Sequence, residues 1–126
     1  MATETSLKLE WIKCQSGDFC RLMDVNLSHD HFNDLSGVYV IWRKSQPIQT
    51  IYVGQGNIAD RLSKHRLNEE ITRYNTNNYP LLVSWAQVAD RNLDGVEAYL
   101  AKICKPVVGD RHPDANLIVV NLPFNS

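Results

Sequence analysis

The chain has 126 residues, 44% of them hydrophobic, and a formal net charge of −1. That length holds one domain with a real core and hardly two, and the apolar fraction belongs to a globular protein rather than a disordered one. No apolar run approaches the roughly 20 residues that span a membrane. The polar start MATETSLKLE also lacks the apolar core of a signal peptide, so a cytoplasmic (intracellular) protein with no membrane partner is expected.

Near-neutral charge speaks against an extensive phosphate-binding surface, which normally is basic. The charge is uneven, however. Residues 1–36 carry three basic and six acidic side chains. Residues 61–74 set Arg61, Lys64, Arg66 and Arg73 against Glu69 and Glu70, and residues 102–112 set Lys102, Lys105 and Arg111 against Asp110. Each of those two stretches has an excess of +2, enough for a modest local basic face. The three cysteines, Cys14, Cys20 and Cys104, are too few and too scattered for a disulfide framework. With His29 and His31 the first two make a Cys-x5-Cys, His-x-His spacing that fits no common zinc pattern. Free buried thiols are the expectation.

In chain order, Glu10–Cys14 and Phe19–Val25 are mixed apolar and polar runs around Gln15-Ser16-Gly17-Asp18, which has turn chemistry, so the first 36 residues are expected to add a hairpin. Leu27 to Leu35 reads as a loop or short helical turn, with Ser28 or Asp30 as its cap. Gly37 to Trp42 and Thr50 to Val53 are β-rich runs separated by a polar stretch containing Pro47 and closed by Gly54. A turn centred between Ser45 and Gln46 would place Tyr39 opposite Tyr52 and Gly37 opposite Gly54, with both phenols on one surface. The glycines would leave the backbone there open to a ligand.

Asn57 is a good N-cap, with Asp60 at the third helical position. The helix it opens is expected to run to about Tyr74, burying Ile58, Leu62, Leu67, Ile71 and Tyr74, with Arg61 and His65 on one face by their spacing of four. Asn75 to Pro80 breaks it. Leu81 to Val88 is a third strand, apolar enough for the middle of a sheet. Asp94 would cap a second helix over Gly95–Lys105, stopped by Pro106, with Val96, Tyr99 or Leu100, and Ile103 buried. Glu97 lies off that stripe beside Ala101 and Cys104, where small neighbours leave room for a ligand, although Asp94-x-x-Glu97 also reads as a capping box. A Gly-, Pro- and Asp-containing loop and a short extended segment at Leu117–Val120 complete the chain. The expected class is α+β: a central three-stranded, mainly antiparallel sheet flanked by helices, in one domain over residues 1–126 with an N-terminal hairpin extension at 1–36.

Gly37-Val38-Tyr39, then Tyr52-Val53-Gly54, then Arg61 and His65, in that order and spacing, resemble the GIY-YIG nuclease superfamily over roughly Gly37 to Asn121. The resemblance implies an endonuclease that hydrolyses phosphodiester bonds of duplex or branched DNA with one divalent cation, Mg²⁺ or Mn²⁺. It makes Glu97 the metal ligand, Arg61 the clamp on the scissile phosphate, and Tyr39, Tyr52 or His65 the group that activates water. A hard oxygen ligand suits either cation, and a planar guanidinium matches two phosphate oxygens. Asn121, or else Asn116, would fill the place of an asparagine common in the family. Gln55 stands where many members carry a lysine, and Lys64 is the candidate to supply the missing cation. Gly37, Gly54, Gln55, Lys64 and Arg66 together would form the substrate surface. The alternative from a different class is a catalytically weak or inactive module of the same fold that binds nucleic acid or a protein.

Overall fold

A computed structural model of the chain describes residues 6–14, 17–109 and 112–125. Gln15 and Ser16 of the expected N-terminal turn, and Asp110 and Arg111 of the second basic excess, lie outside the described residues. The hairpin of the central motif is β3 (Ser36–Arg43) and β4 (Gln49–Asn57). Its β-branched and aromatic residues pair antiparallel from Ser36↔Asn57 to Arg43↔Gln49, with a bulge between Ile41 and Trp42. The register differs from the expected one. Gly37 faces Gly56, and Tyr39 faces Gly54 rather than Tyr52. The displacement is two residues, and side chains alternate with period two, so both tyrosines stay on one face despite the change of partner.

The strand at Leu82–Gln87 (β5) pairs antiparallel with β3, and its other edge is not open. Cys20–Arg21 (β2) pairs antiparallel with it, giving the order β2-β5-β3-β4. The central sheet is therefore four-stranded, and the expected three-stranded sheet with a separate N-terminal hairpin is corrected accordingly. Ile12 N donates to Trp85 O at 2.9 Å and Leu22 N to Leu81 O at 3.0 Å. The N-terminal segment thus covers an apolar strand edge that would otherwise expose a row of unpaired backbone groups. A second, two-stranded parallel sheet joins β1 (Ser6–Leu7) to β6 (Val119–Val120).

Cys14 and Cys20 form a disulfide, with Cα atoms 5.2 Å apart, so free thiols there are not what the fold contains; Cys104 is the free cysteine among the described residues. The turn at Asp30–Phe32 is 3-10 and is capped by His29, whose Nδ1 accepts from His31 N, in place of Ser28 or Asp30.

The expected long first helix is two. α1 spans Ile58–His65 and α2 spans Glu69–Thr72, each opened by an asparagine side chain: Asn57 Oδ1 accepts from Asp60 N at 2.9 Å, and Asn68 Oδ1 from Glu70 N at 3.0 Å. The new cap at Asn68 competes with continuation, and Leu67, counted above as buried, is 85% exposed. The last helix, α3, runs Asp90–Cys104. It starts one turn before the expected Asp94 cap, so Asp94 and Glu97 both lie inside it and the capping-box reading of that pair falls away. Val96 and Leu100 are buried as expected, while Ile103 is exposed.

The sheet has a helix layer on each face. On one, α3 packs Val96 and Leu100 against Val38, Val40, Trp42 and Val53. On the other, α1 packs Ile58 and Leu62 against Tyr39, Ile41 and Ile51. No helix among the described residues is long and apolar enough to cross a membrane.

Candidate functional site

β4 is the outer strand of the sheet, and the candidate residues gather around it from both faces. On the α1 face Tyr39 is almost wholly buried and its Oη is 2.6 Å from His65 Nε2, a hydrogen bond. Tyr52 stacks on Tyr39 with ring centroids 6.2 Å apart and planes 13° from parallel, and its ring lies 4.4 Å from the His65 ring. Arg61, one turn before His65, lies over Gly56, where a Cβ would stand 3.1 Å from Arg61 Nε. Among the described residues no carboxylate forms an ion pair with Arg61. Tyr39, Tyr52, Arg61 and His65 are thus brought together.

The electrostatics follow from burial. Desolvation, reinforced by Tyr52, pushes the Tyr39 phenol well above its ordinary value, with Arg61 opposing. Desolvation and the nearby Arg61 guanidinium lower His65 to about 4. Both members of the hydrogen-bonded pair are therefore neutral at pH 7, and His65 keeps an unprotonated ring nitrogen throughout the physiological range.

On the opposite face Glu97 is only 7% exposed. Burial raises its carboxyl, an effect that hydrogen bonds from His112 and Gln55 counter and Asp94 adds to. His112 Nδ1 is 3.4 Å from Glu97 Oε2, and Gln55 Nε2 donates to Asp94 Oδ1 at 2.8 Å. Glu97 is close enough to act electrostatically on Tyr39, so the carboxylate and the phenol belong to one locality. The segment after α3 explains how His112 arrives. Val107 N and Val108 N donate to Thr50 O and Ile51 O along the free edge of β4, and Gly109 lies against Tyr52. Sequence reasoning missed His112, which sits in a loop with no periodicity to place it.

Other expected residues have different roles. Asn121 Oδ1 accepts from Leu9 N at 2.7 Å, its Nδ2 donates to Leu9 O at 3.0 Å, and its carbonyl accepts from Trp11 Nε1 at 2.9 Å. It ties the chain ends together as an extra rung beside β1 and β6, so the expectation that it joins the site is corrected. Asn116 presents its carbonyl to Gly95. Arg66, expected at the substrate surface, donates Nε to Leu22 O at 2.6 Å and Nη2 to Val25 O. Lys64 pairs with Asp60 at 3.2 Å on the exposed face of α1, a contact of little energetic weight. Gly37 and Gly54 are not open backbone. A Cβ on Gly37 would meet Ala86 O at 2.0 Å, and one on Gly54 would meet Tyr39 Oη at 2.4 Å. These glycines let a neighbouring strand and a tyrosine ring approach.

Among the described residues no group of three His, Cys, Asp or Glu side chains converges as a metal cage. The oxygen donors there are the buried Glu97 carboxylate and the nearby Asp94, with the Gln55 amide and the His112 imidazole hydrogen-bonded to them, a set that suits a hard cation that keeps most of its waters and binds through one or two carboxylates. Burial also favours a cation there, since it would offset the desolvation of the carboxylate. No protein-family profile matches the chain, and comparison with curated proteins and with solved structures gives no significant match.

Proposed function

We propose that the chain is a GIY-YIG-type endonuclease that hydrolyses DNA phosphodiester bonds with one Mg²⁺ or Mn²⁺. The observation that carries this reading is the neutral Tyr39–His65 pair, its phenol buried and its imidazole half-buried, beside an Arg61 guanidinium that has no carboxylate partner among the described residues, with Glu97 across β4.

The chemistry follows from the protonation states. In the neutral tautomer of His65 that carries its proton on Nδ1, Tyr39 Oη–H donates to Nε2, which leaves the phenol oxygen free to accept from a water. A free tyrosinate is disfavoured by burial, so the proton of the attacking water passes to Tyr39 as the phenol proton passes to His65. The hydroxide bonds to phosphorus as the P–O bond to the leaving oxygen breaks. Arg61 takes the charge on the non-bridging phosphate oxygens, where a planar fork is worth more in the transition state than in free solution. A phosphate bound by Arg61 also removes part of the repulsion that depresses His65, raising its proton affinity when substrate is present. Glu97, with Gln55 and His112 beside it, would hold the cation, which when bound supplies Lewis-acid stabilisation of the phosphate and leaving oxygen.

The alternative, a binding module without turnover, is favoured by one fact, the net charge of −1 with no broad basic surface in the composition. One experiment separates the two: nicking of supercoiled plasmid and of a branched duplex in Mg²⁺, Mn²⁺ or EDTA, for the wild type, Glu97→Gln and Arg61→Ala. Cleavage is expected only with a divalent cation, and each variant is expected to lose about 10²-fold or more in turnover with the fold retained. Full activity in EDTA, or in Glu97→Gln, sinks the metal-dependent mechanism and the role given to Glu97. DNA binding without cleavage in any cation selects the module.

A further inference from the structure

We infer that Arg66 is a positioning residue: by gripping the turn at residues 22–25 it fastens the N-terminal segment to the end of α1 and so holds the His65 ring against Tyr39. The inference takes the Tyr39–His65 pair as the working centre of the proposed function, but its test requires no turnover.

α1 has only eight residues and buries two of them, Ile58 and Leu62. Its start is fixed by the Asn57 cap, and its end needs another anchor, because short helices fray and draw their order from tertiary contacts. Directly after the end Leu67 is 85% exposed, and apolar packing resumes only at Ile71, so the last turn of α1 carries no apolar anchor of its own. The anchor is the Arg66 guanidinium. Two of its nitrogens donate to the carbonyls of Leu22, at 2.6 Å, and Val25, charge-assisted bonds in a fork that a single ammonium cannot reproduce.

The turn that it grips is itself fixed. Leu22 is fully buried and donates its N–H to Leu81 O, Val25 N donates to Arg21 O at 3.0 Å, and Cys20 is held both by β5 and by the disulfide to Cys14. The path closes on β5, where Trp85 is the register partner of Tyr39. Tyr39 is thus placed relative to β5 by strand pairing, and His65 by the route Leu81, Leu22, Arg66. The first 36 residues, which carry none of the motif, are on this reading a working part of the site. They also occupy the donors of a basic residue that would otherwise be counted toward phosphate binding.

The test is the imidazole nitrogen spectrum of His65, recorded as a function of pH in the wild type, Arg66→Gln and Arg66→Lys, with Lys64→Ala as the control and His65→Gln to assign the signals. The groups facing His65 are Tyr39 from β3, Tyr52 from β4 and Arg61 from α1 itself, and none is altered in these variants. In the wild type the ring titrates near 4 with Nε2 hydrogen-bonded. In Arg66→Gln the ring is expected to leave Tyr39, lose that signature and titrate at least about one unit higher, toward the free value near 6.5. Arg66→Lys, which keeps one donor, should move part of the way, and it carries the test if Arg66→Gln does not fold. Lys64→Ala should leave His65 unchanged. A folded Arg66 variant with the wild-type His65 titration overturns the inference. Should the shift appear in a protein that cleaves no DNA, positioning stands and the nuclease reading fails.

Discussion

The two faces of the sheet bury comparable numbers of large side chains and use them differently. Against α3 the core is dry and aromatic: Trp42 is flanked by Phe19 and Phe124 at centroid distances of 4.7 and 4.8 Å, and its Nε1 donates to Ser84 Oγ at 3.2 Å. Against α1 the core reaches the same depth of burial but ends, near the outer strand, in a phenol bonded to an imidazole with a guanidinium above them. Around Trp42 that face satisfies the buried Ser84 hydroxyl and closes, and its buried carboxylate, Glu97, lies apart at the edge of β4. The other face keeps two titratable groups out of water, where each is driven toward its neutral form. The difference is what motivates placing the proton relay on the α1 face, with Glu97 across β4.

The widest separation between the two is expected from Tyr39→Phe. If the hydroxyl relays a proton, single-turnover cleavage should fall by about 10² to 10⁴. Stability should fall by only about 1–3 kcal/mol, the cost of leaving the partly buried His65 nitrogen without its partner. An unchanged rate with that same stability loss would reduce Tyr39 to packing.

Trp42→Ala probes the opposite face. Removing the ring between Phe19 and Phe124 should cost about 3–5 kcal/mol in denaturant unfolding, while any molecules that stay folded should cleave at a near-normal rate. A large rate loss in the folded fraction would mean that the two faces are not separable in function.

The smallest effect is in pH. On acidification His65 is protonated in the unfolded chain near 6.5 but in the folded one only near 4. Its contribution to stability is therefore complete above about 6.5 and is lost as the pH falls toward 4. The thermal midpoint of the wild type should drop more steeply across that interval than that of His65→Gln. Parallel curves would show that the imidazole is not desolvated.

Much of the α1 face was legible because its signals are local. The strand runs Gly37–Trp42 and Thr50–Val53, the Asn57 cap and the i, i+4 spacing of Arg61 and His65 each depend on residues a few positions apart. The period-two alternation keeps the tyrosines on one face even though the register lies two residues from the expected one. Most of what differs depends on partners more than 40 residues away. Arg66 and Lys64 look alike as basic residues of one helix, yet one reaches carbonyls 41 and 44 positions back and the other meets solvent. Asn121 has the composition of a site residue and serves as a clamp on Leu9, 112 positions distant. Asp94 reads as a cap because nothing in Asp90–Leu93 signals that the helix has already begun.

By itself, then, the sequence determined β3, β4 and β5, the polar turn between the first two, the start of α1, and which of their side chains share a face, since these follow from backbone propensity and from the periods of 2 and 3.6. Tertiary structure alone decided that the N-terminal segment supplies the fourth strand, that Cys14 and Cys20 join, that Glu97 and His112 meet at the edge of β4, and that the site glycines make room for the protein's own atoms. Those outcomes depend on which apolar edges and carbonyls remain uncovered once the hairpin has formed, and burial of such groups is settled only by the whole chain.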